Sequence, residues 1–201
     1  MATLKERWDA AQTEERKLHT HTMESGLANY GAIYKKYFEH LGIDSERLYR
    51  KRIIEIGCAD FPALVFCKKY HWGIVVEPMP SPILMRLASE NIETLHVVPK
   101  CAEDYDFPPA DEVWIFNVLQ HVMDPLLIIQ MAMKSAGIIR FFEPIDAPID
   151  NCHLHRFTLP YFEKIFGTCT QYYPGGVHIV GFHQQECAYG VWEKQSEEPF
   201  T

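Results

Sequence analysis

Apolar positions change their period once along this chain. From about Leu4 to Leu41 helix formers dominate, and Tyr30, Ile33, Tyr34, Tyr37, Phe38 and Leu41 recur at helical spacing, which predicts a helical cap over residues 1–45. After the polar stretch 44–51 come short apolar runs of the kind that form strands buried on both faces. They are Ile53-Ile54-Glu55-Ile56, Gly73-Ile74-Val75-Val76, Leu95-His96-Val97-Val98, Val113-Trp114-Ile115-Phe116 and Ile138-Ile139-Arg140-Phe141-Phe142. Helices are expected between them. Pro62 to Tyr70 opens on a proline suited to a first helical turn, Ser81 to Asn91 opens on a capping serine, and Asp124-Pro125 opens a helix running through Lys134.

Strand and helix therefore alternate, and the alternation predicts an α/β fold: a doubly wound, mostly parallel sheet with helices on both faces. The tail departs from this rhythm. A short helix at 159–166, a strand-like 168–173, a Pro174-Gly175-Gly176 turn and a strand-like 187–192 predict a closing antiparallel pair. No internal repeat or linker interrupts the chain, so residues 1–201 are expected to form one domain, with 52–193 as its core.

Composition narrows the partners. The 201 residues are 47% hydrophobic, enough for a continuous core, and the net charge of −8 opposes a broad nucleic-acid surface. The six cysteines have no paired spacing, so reduced thiols in a cytoplasmic protein are expected, with neither a disulfide framework nor a structural zinc site. The polar start does not resemble a signal peptide, and no apolar run reaches membrane-spanning length.

In a doubly wound sheet the loop after the first strand points at the ligand. Here that loop is Gly57-Cys58-Ala59-Asp60-Phe61-Pro62, which keeps only Gly57, with Ala59 and Phe61 at the other two glycine positions. It is a poor pyrophosphate cradle, so a dinucleotide is disfavoured. About 20 residues on, Glu77 ends the second strand where a carboxylate accepts ribose hydroxyls. The alternative is that Glu77 starts a solvated turn before Pro78.

The ordered motifs across roughly 52–166 resemble class I S-adenosylmethionine-dependent methyltransferases. Ile53-Ile-Glu-Ile-Gly-Cys-Ala-Asp resembles that family's first motif with Glu55 at its acidic position. Cys101-Ala-Glu-Asp resembles the third-strand exit, and Asp111 to Pro125 the fourth strand with its loop. The resemblance implies the strand order 3-2-1-4-5-7-6. It also implies that Gly57, Cys58 and Ala59 hold the methionine end of S-adenosylmethionine, Glu77 and Pro78 the ribose, Ala102 and Glu103 the adenine edge, and Asn117, Val118 and His121 the floor beneath the sulfonium. Phe61-Pro62 adds bulk and stiffness where the family has its third glycine, which implies a loop that turns differently or a narrower pocket.

Methyl transfer needs alignment and, for a hydroxyl or amine acceptor, a base. Three of the ten histidines fall where the acceptor belongs. His121 is either a base or a core histidine at a helix start. His153 and His155, spaced to face one side of an extended segment, are the base candidates; the competing readings are a metal site with Cys152 or Asp150, or a polar loop that orders the next helix with Thr158 as its cap. Tyr30 and Tyr34 are candidate acceptor contacts, or else part of a packing stripe with Trp8 and Tyr37. The expected activity is methylation of a small molecule, on oxygen before nitrogen, with no metal. The alternatives are an aminopropyl-type transferase on the same fold and a non-catalytic S-adenosylmethionine-binding regulatory domain.

Overall fold

The computed structural model describes residues 2–18, 22–68, 70–91, 93–174 and 186–195. Its seven strands are β1 (Arg52–Ile56), β2 (Trp72–Val76), β3 (Leu95–Val98), β4 (Ala110–Phe116), β5 (Ala136–Pro144), β6 (Thr170–Tyr173) and β7 (Cys187–Glu193). They form one sheet in the order β3-β2-β1-β4-β5-β7-β6, as the family resemblance implied. β3, β2, β1, β4 and β5 run parallel, whereas β7 pairs antiparallel with both β5 and β6. The predicted turn at Gly175-Gly176 lies outside the described residues.

Successive strand residues point to opposite faces, and the core divides accordingly. Ile53, Val75, Trp114 and Phe142 face one layer, where helix α2 (Met23–Leu41) buries Ile33, Tyr34, Tyr37, Phe38 and Leu41 and α3 (Pro82–Glu90) buries Leu84. Ile54, Ile115, Ile139 and Phe141 face the other, against Ile128, Ile129 and Ala132 of α4 (Pro125–Ser135) and Phe162 and Phe166 of α5 (Leu159–Phe166). The N-terminal cap is thus two helices with different positions. α2 is a full layer of the core. α1 (Leu4–Leu18) contributes only Trp8 and Ala11 to a small cluster with Leu154.

Local chemistry sets the helix ends. Thr22 and Ser25 form a reciprocal capping box at the start of α2, and Gly42, at φ 63°, closes it by donating its N–H to the Phe38 carbonyl. Ser81 and Asp124 accept the N–H groups of Leu84 and Leu127. Thr158 occupies the N-cap position of α5, but its side chain makes no cap hydrogen bond there, contrary to its predicted role.

The helix expected over 62–70 is also corrected: the segment holds only a 3-10 turn, Ala63–Phe66. Its first N–H groups, from Ala63 and Leu64, go to the Glu55 carboxylate at 2.7 and 3.1 Å. Lys68 then donates to the Ser45 carbonyl and His71 to that of Lys51, so the backbone is drawn to the segment leading into β1 and no i→i−4 ladder follows.

Strand register makes the site. Ile56 lies beside Val76 and Ile115, which brings the carboxyl ends of β1, β2 and β4 level. Each following loop leaves on a backbone bond to the neighbouring strand or its exit: Gly57 N–H to Val76, Glu77 N–H to Val98, Asn117 N–H to Phe142.

Candidate active site

A cavity of about 470 Å³ opens at these three strand ends and is roofed by α1 and α2. Gly57, Cys58 and Ala59 line it from the first loop, Glu77 and Pro78 from the second, and Ala102 and Glu103 from the turn after β3. Asn117, Val118 and His121 complete it from the loop after β4. Ten of the eleven residues picked for the cofactor thus meet at one place. The eleventh, Glu55, does not reach the cavity. It lies within β1, and both carboxylate oxygens hold the 3-10 turn behind the first loop, so its position in the motif is one of support.

The first loop lies close against the fourth. Gly57 is at φ 61°, and a Cβ built on it would stand 2.3 Å from Val118 Cγ2, so two requirements fix glycine here: a left-handed backbone and a near contact. Ala59 also has positive φ, 52°. Phe61 does not narrow the cavity. Its ring is fully buried and turned back under α2, 5.1 Å from the Tyr30 ring and beside Gly26, while its carbonyl accepts the Tyr34 hydroxyl at 2.9 Å. The bulk at the third glycine position anchors α2 to the loop and leaves the ligand side open.

Glu77 is 8% exposed; its carboxylate accepts N–H groups from Cys58 at 3.2 Å and Met79 at 3.0 Å. Burial outweighs these bonds and raises its carboxyl to about 7. Glu103 accepts from the N–H groups of Met123 and Asp124 through one oxygen, tying the third loop to the start of α4. Glu143, at the end of β5, is a site residue the sequence reading missed. Fully buried, it accepts the N–H groups of Val118 and Leu119 at 2.9 and 3.1 Å and so fixes the cavity floor. The signal was present: an acid directly after Phe141-Phe142 in an apolar strand mirrors Glu55 in β1.

The three histidines separate. Gln120 donates its side-chain amide to Asn117 Oδ1 at 3.0 Å and stands 3.1 Å from His121 Nε2; His121 Nδ1 lies 3.1 Å from the Cys152 carbonyl. These partners assign an Nδ1–H tautomer whose Nε2 accepts from Gln120. Burial, then the neighbouring His153, lowers the His121 pKa to about 3, so the ring is neutral and structurally committed. His153 lines the cavity 4.8 Å from the His121 ring, with Nδ1 at 2.9 Å from Asp150 Oδ2. The other Asp150 oxygen accepts the N–H groups of Cys152 and His153, which fixes the carboxylate that orients the ring. His155 turns away: its Nε2 is 2.8 Å from the Val122 carbonyl, and it does not line the cavity. Two residues apart in sequence, His153 and His155 are not aimed at one point, because the chain between them runs as a loop bonded to the β4 exit through Leu154 N–H and the Gln120 carbonyl. Among the described residues no group of three or more His, Cys, Asp or Glu is arranged to hold a metal.

Tyr30 and Tyr34 line the cavity and also pack, with ring centroids 6.1 Å apart; Tyr37 and Phe116 continue the wall at 5.4 Å. Packing stripe and cavity wall are therefore one surface.

No family model matches the sequence, and no curated protein matches it. Solved structures match its fold. A 1,6-didemethyltoxoflavin-N1-methyltransferase from Burkholderia thailandensis, with 1,6-didemethyltoxoflavin and S-adenosylhomocysteine bound, superposes with a TM-score of 0.64 at 13% identity over 98% of this chain and 92% of that one. The N-methyltransferase NodS from Bradyrhizobium japonicum gives 0.62 at 12% identity over 84% and 98%. Phosphoethanolamine N-methyltransferase 1 from Haemonchus contortus gives 0.63 at 12% over all of this chain, which spans only 52% of that longer protein. By these superpositions and its strand order, with β7 antiparallel in the sheet, this chain has the fold of the class I S-adenosylmethionine-dependent methyltransferases.

Proposed function

We propose that the protein binds S-adenosylmethionine in this cavity and transfers its methyl group to a small molecule bearing an amine or hydroxyl. The observation that carries this reading is the convergence, at level strand ends, of a glycine that tolerates no Cβ and a nearly buried carboxylate at the tip of β2. Gly57 lets the first loop lie flat beneath the methionine end. Glu77, already supported by the Cys58 and Met79 N–H groups, accepts the ribose hydroxyls. Ala102 and Glu103 border the adenine. These residues fit a nucleoside without phosphates, since nothing in the first loop forms an open pyrophosphate cradle.

When bound, S-adenosylmethionine supplies a methyl group activated by its sulfonium. The chain's own work is to align the acceptor, keep out water and take a proton. The roof of α1 and α2 encloses the acceptor. His153, oriented by Asp150, accepts the acceptor's proton, while His121 holds the loop.

Isothermal titration with S-adenosylmethionine should show one site per chain. Glu77→Gln, which keeps the shape but loses one acceptor, should weaken binding about tenfold, as expected for one or two lost hydrogen bonds to a charged group. Absence of any heat or thermal shift with the wild-type protein at millimolar ligand would refute the reading.

A further inference from the structure

The loop after β1 has few backbone donors left for the methionine end of the cofactor, a point that rests on the methyl-transfer reading above. Gly57 gives its N–H to the Val76 carbonyl, Cys58 to the Glu77 carboxylate and Phe61 to the Cys58 carbonyl, and the N–H of Ala59 adds to the pull on Glu77. Cations are scarce as well. Arg16 is the one Lys or Arg among the described residues lining the cavity; it is exposed on α1 and also lines a second cavity with Pro78, Met79 and Cys101, on the ribose and adenine side. The carboxylate of a bound S-adenosylmethionine therefore needs a neutral donor from a neighbouring loop.

Asn117 carries one. It follows β4, lines the cavity and precedes Val118, whose Cγ2 would meet a Cβ on Gly57 at 2.3 Å, so it borders the first loop. A chain of hydrogen bonds fixes the direction of its side-chain amide. The Cys152 carbonyl, which can only accept, stands 3.1 Å from His121 Nδ1, so that nitrogen carries the ring proton and Nε2 keeps a lone pair. Gln120 must meet this lone pair with its NH2, at 3.1 Å, and the same nitrogen donates to Asn117 Oδ1 at 3.0 Å. Gln120 Oε1 is left buried with no hydrogen bond among the described residues. Turning that amide over would set its oxygen against the His121 lone pair, so the orphaned oxygen is the lesser cost.

With Oδ1 so held, the NH2 of Asn117 is the group left to face a ligand. It makes no hydrogen bond among the described residues and, unlike Gln120 Oε1, is not sealed from solvent. We infer that Asn117 donates a side-chain N–H to the methionine carboxylate of the cofactor, with Gln120 and His121 as positioning residues that hold the amide in the donating sense. The amide is a pure donor on this side, so it selects the carboxylate of the amino-acid group and not its ammonium.

Two ligands test this on the full chain by calorimetry near neutral pH: S-adenosylhomocysteine, and S-adenosyl-3-thiopropylamine, the same molecule without its carboxylate. The wild-type protein should prefer the first by about tenfold or more, as one hydrogen bond to a charged group predicts. Asn117→Asp keeps an oxygen for Gln120 and, like asparagine, tolerates the φ of 56° found here, but it replaces the NH2 with a second oxygen. It should weaken S-adenosylhomocysteine about tenfold or more and leave the carboxylate-free ligand bound at least as tightly. Asn117→Gly, which suits the same backbone, should lose the preference without adding charge. Gln120→Met removes the hold on the Asn117 amide from outside the cavity lining and should cut the preference to about threefold. A wild-type protein without the preference, or Asn117 variants that weaken both ligands alike or neither, overturns the assignment. Loss of the preference in Arg16→Gln instead places the carboxylate at Arg16 and overturns it too. An unchanged preference in Gln120→Met overturns the positioning role. Failure of S-adenosylhomocysteine itself to bind the wild-type protein sinks the methyl-transfer reading instead, so the two failures are distinct.

Discussion

His153 lines the cavity with one ring nitrogen turned to Asp150, an arrangement that fixes the orientation of the ring. His153→Ala should therefore lower kcat by about 10²- to 10⁴-fold, the usual contribution of a positioned base, while the affinity for S-adenosylmethionine stays unchanged. Asp150→Asn should keep the loop turn but loosen the orientation of the ring, with a smaller loss of kcat. Unchanged turnover in His153→Ala removes it from the mechanism. Buried carboxyls give a second prediction. Glu55 and Glu143 are raised from 4.5 to about 8 by burial, which outweighs the N–H groups they accept. Between those values the folded protein holds protons that the unfolded chain has lost, so stability is full below the lower value and declines as pH rises through the upper one. Thermal midpoints measured from about pH 5 to about pH 9 should fall, and Glu143→Gln, which cannot titrate, should flatten the slope.

At the scale of elements, α2 and the first loop are joined by one interlocking contact. A Cβ at Gly26 would overlap Phe61 Cε2 at 2.0 Å, and the Phe61 ring is fully buried. Gly26→Ala gains helix propensity, yet it should destabilise the protein by about 1–3 kcal/mol through overpacking. In chemical denaturation, Phe61→Leu in the same chain should restore part of the loss; a neutral Gly26→Ala would show that the helix can shift away. The elements themselves were largely legible. Ser81 and Asp124-Pro125 marked helix starts because capping is local chemistry. The segment after Pro62 did not form the expected helix, since its N–H groups at Ala63, Leu64 and Lys68 found partners in Glu55 and Ser45, residues brought near by the fold.

At the scale of the whole molecule, α1 covers the cavity through a polar helix with few buried anchors. Trp8 and Ala11 are packed, while Gln12 and Glu15 reach the cavity. A ligand beneath should hold α1 in place. Trypsin cleavage after Arg16 and Lys17, both exposed, should slow when S-adenosylhomocysteine is added, and the ligand at 100 times its Kd should add about 2.7 kcal/mol of stability by mass action. Cleavage at an unchanged rate with ligand bound would mean that α1 is not part of the closed site. No helix of the described residues is long and apolar enough to cross a membrane.

By itself the sequence determined the alternating α/β plan and most of the residues at the strand ends, because strand periodicity, capping and the β1 loop are written in residues close together along the chain. The family resemblance extended this to the strand order. Tertiary structure alone decided which residues line the cavity and which support the loops around it. Glu55 stood among the expected cofactor contacts but accepts backbone N–H groups, Glu143 was not singled out yet holds the loop after β4, His155 points at a carbonyl, and Phe61 packs beneath α2. A side chain's partners come from distant segments, so the direction of an acid or a histidine is fixed only when strand register and helix packing bring those segments together.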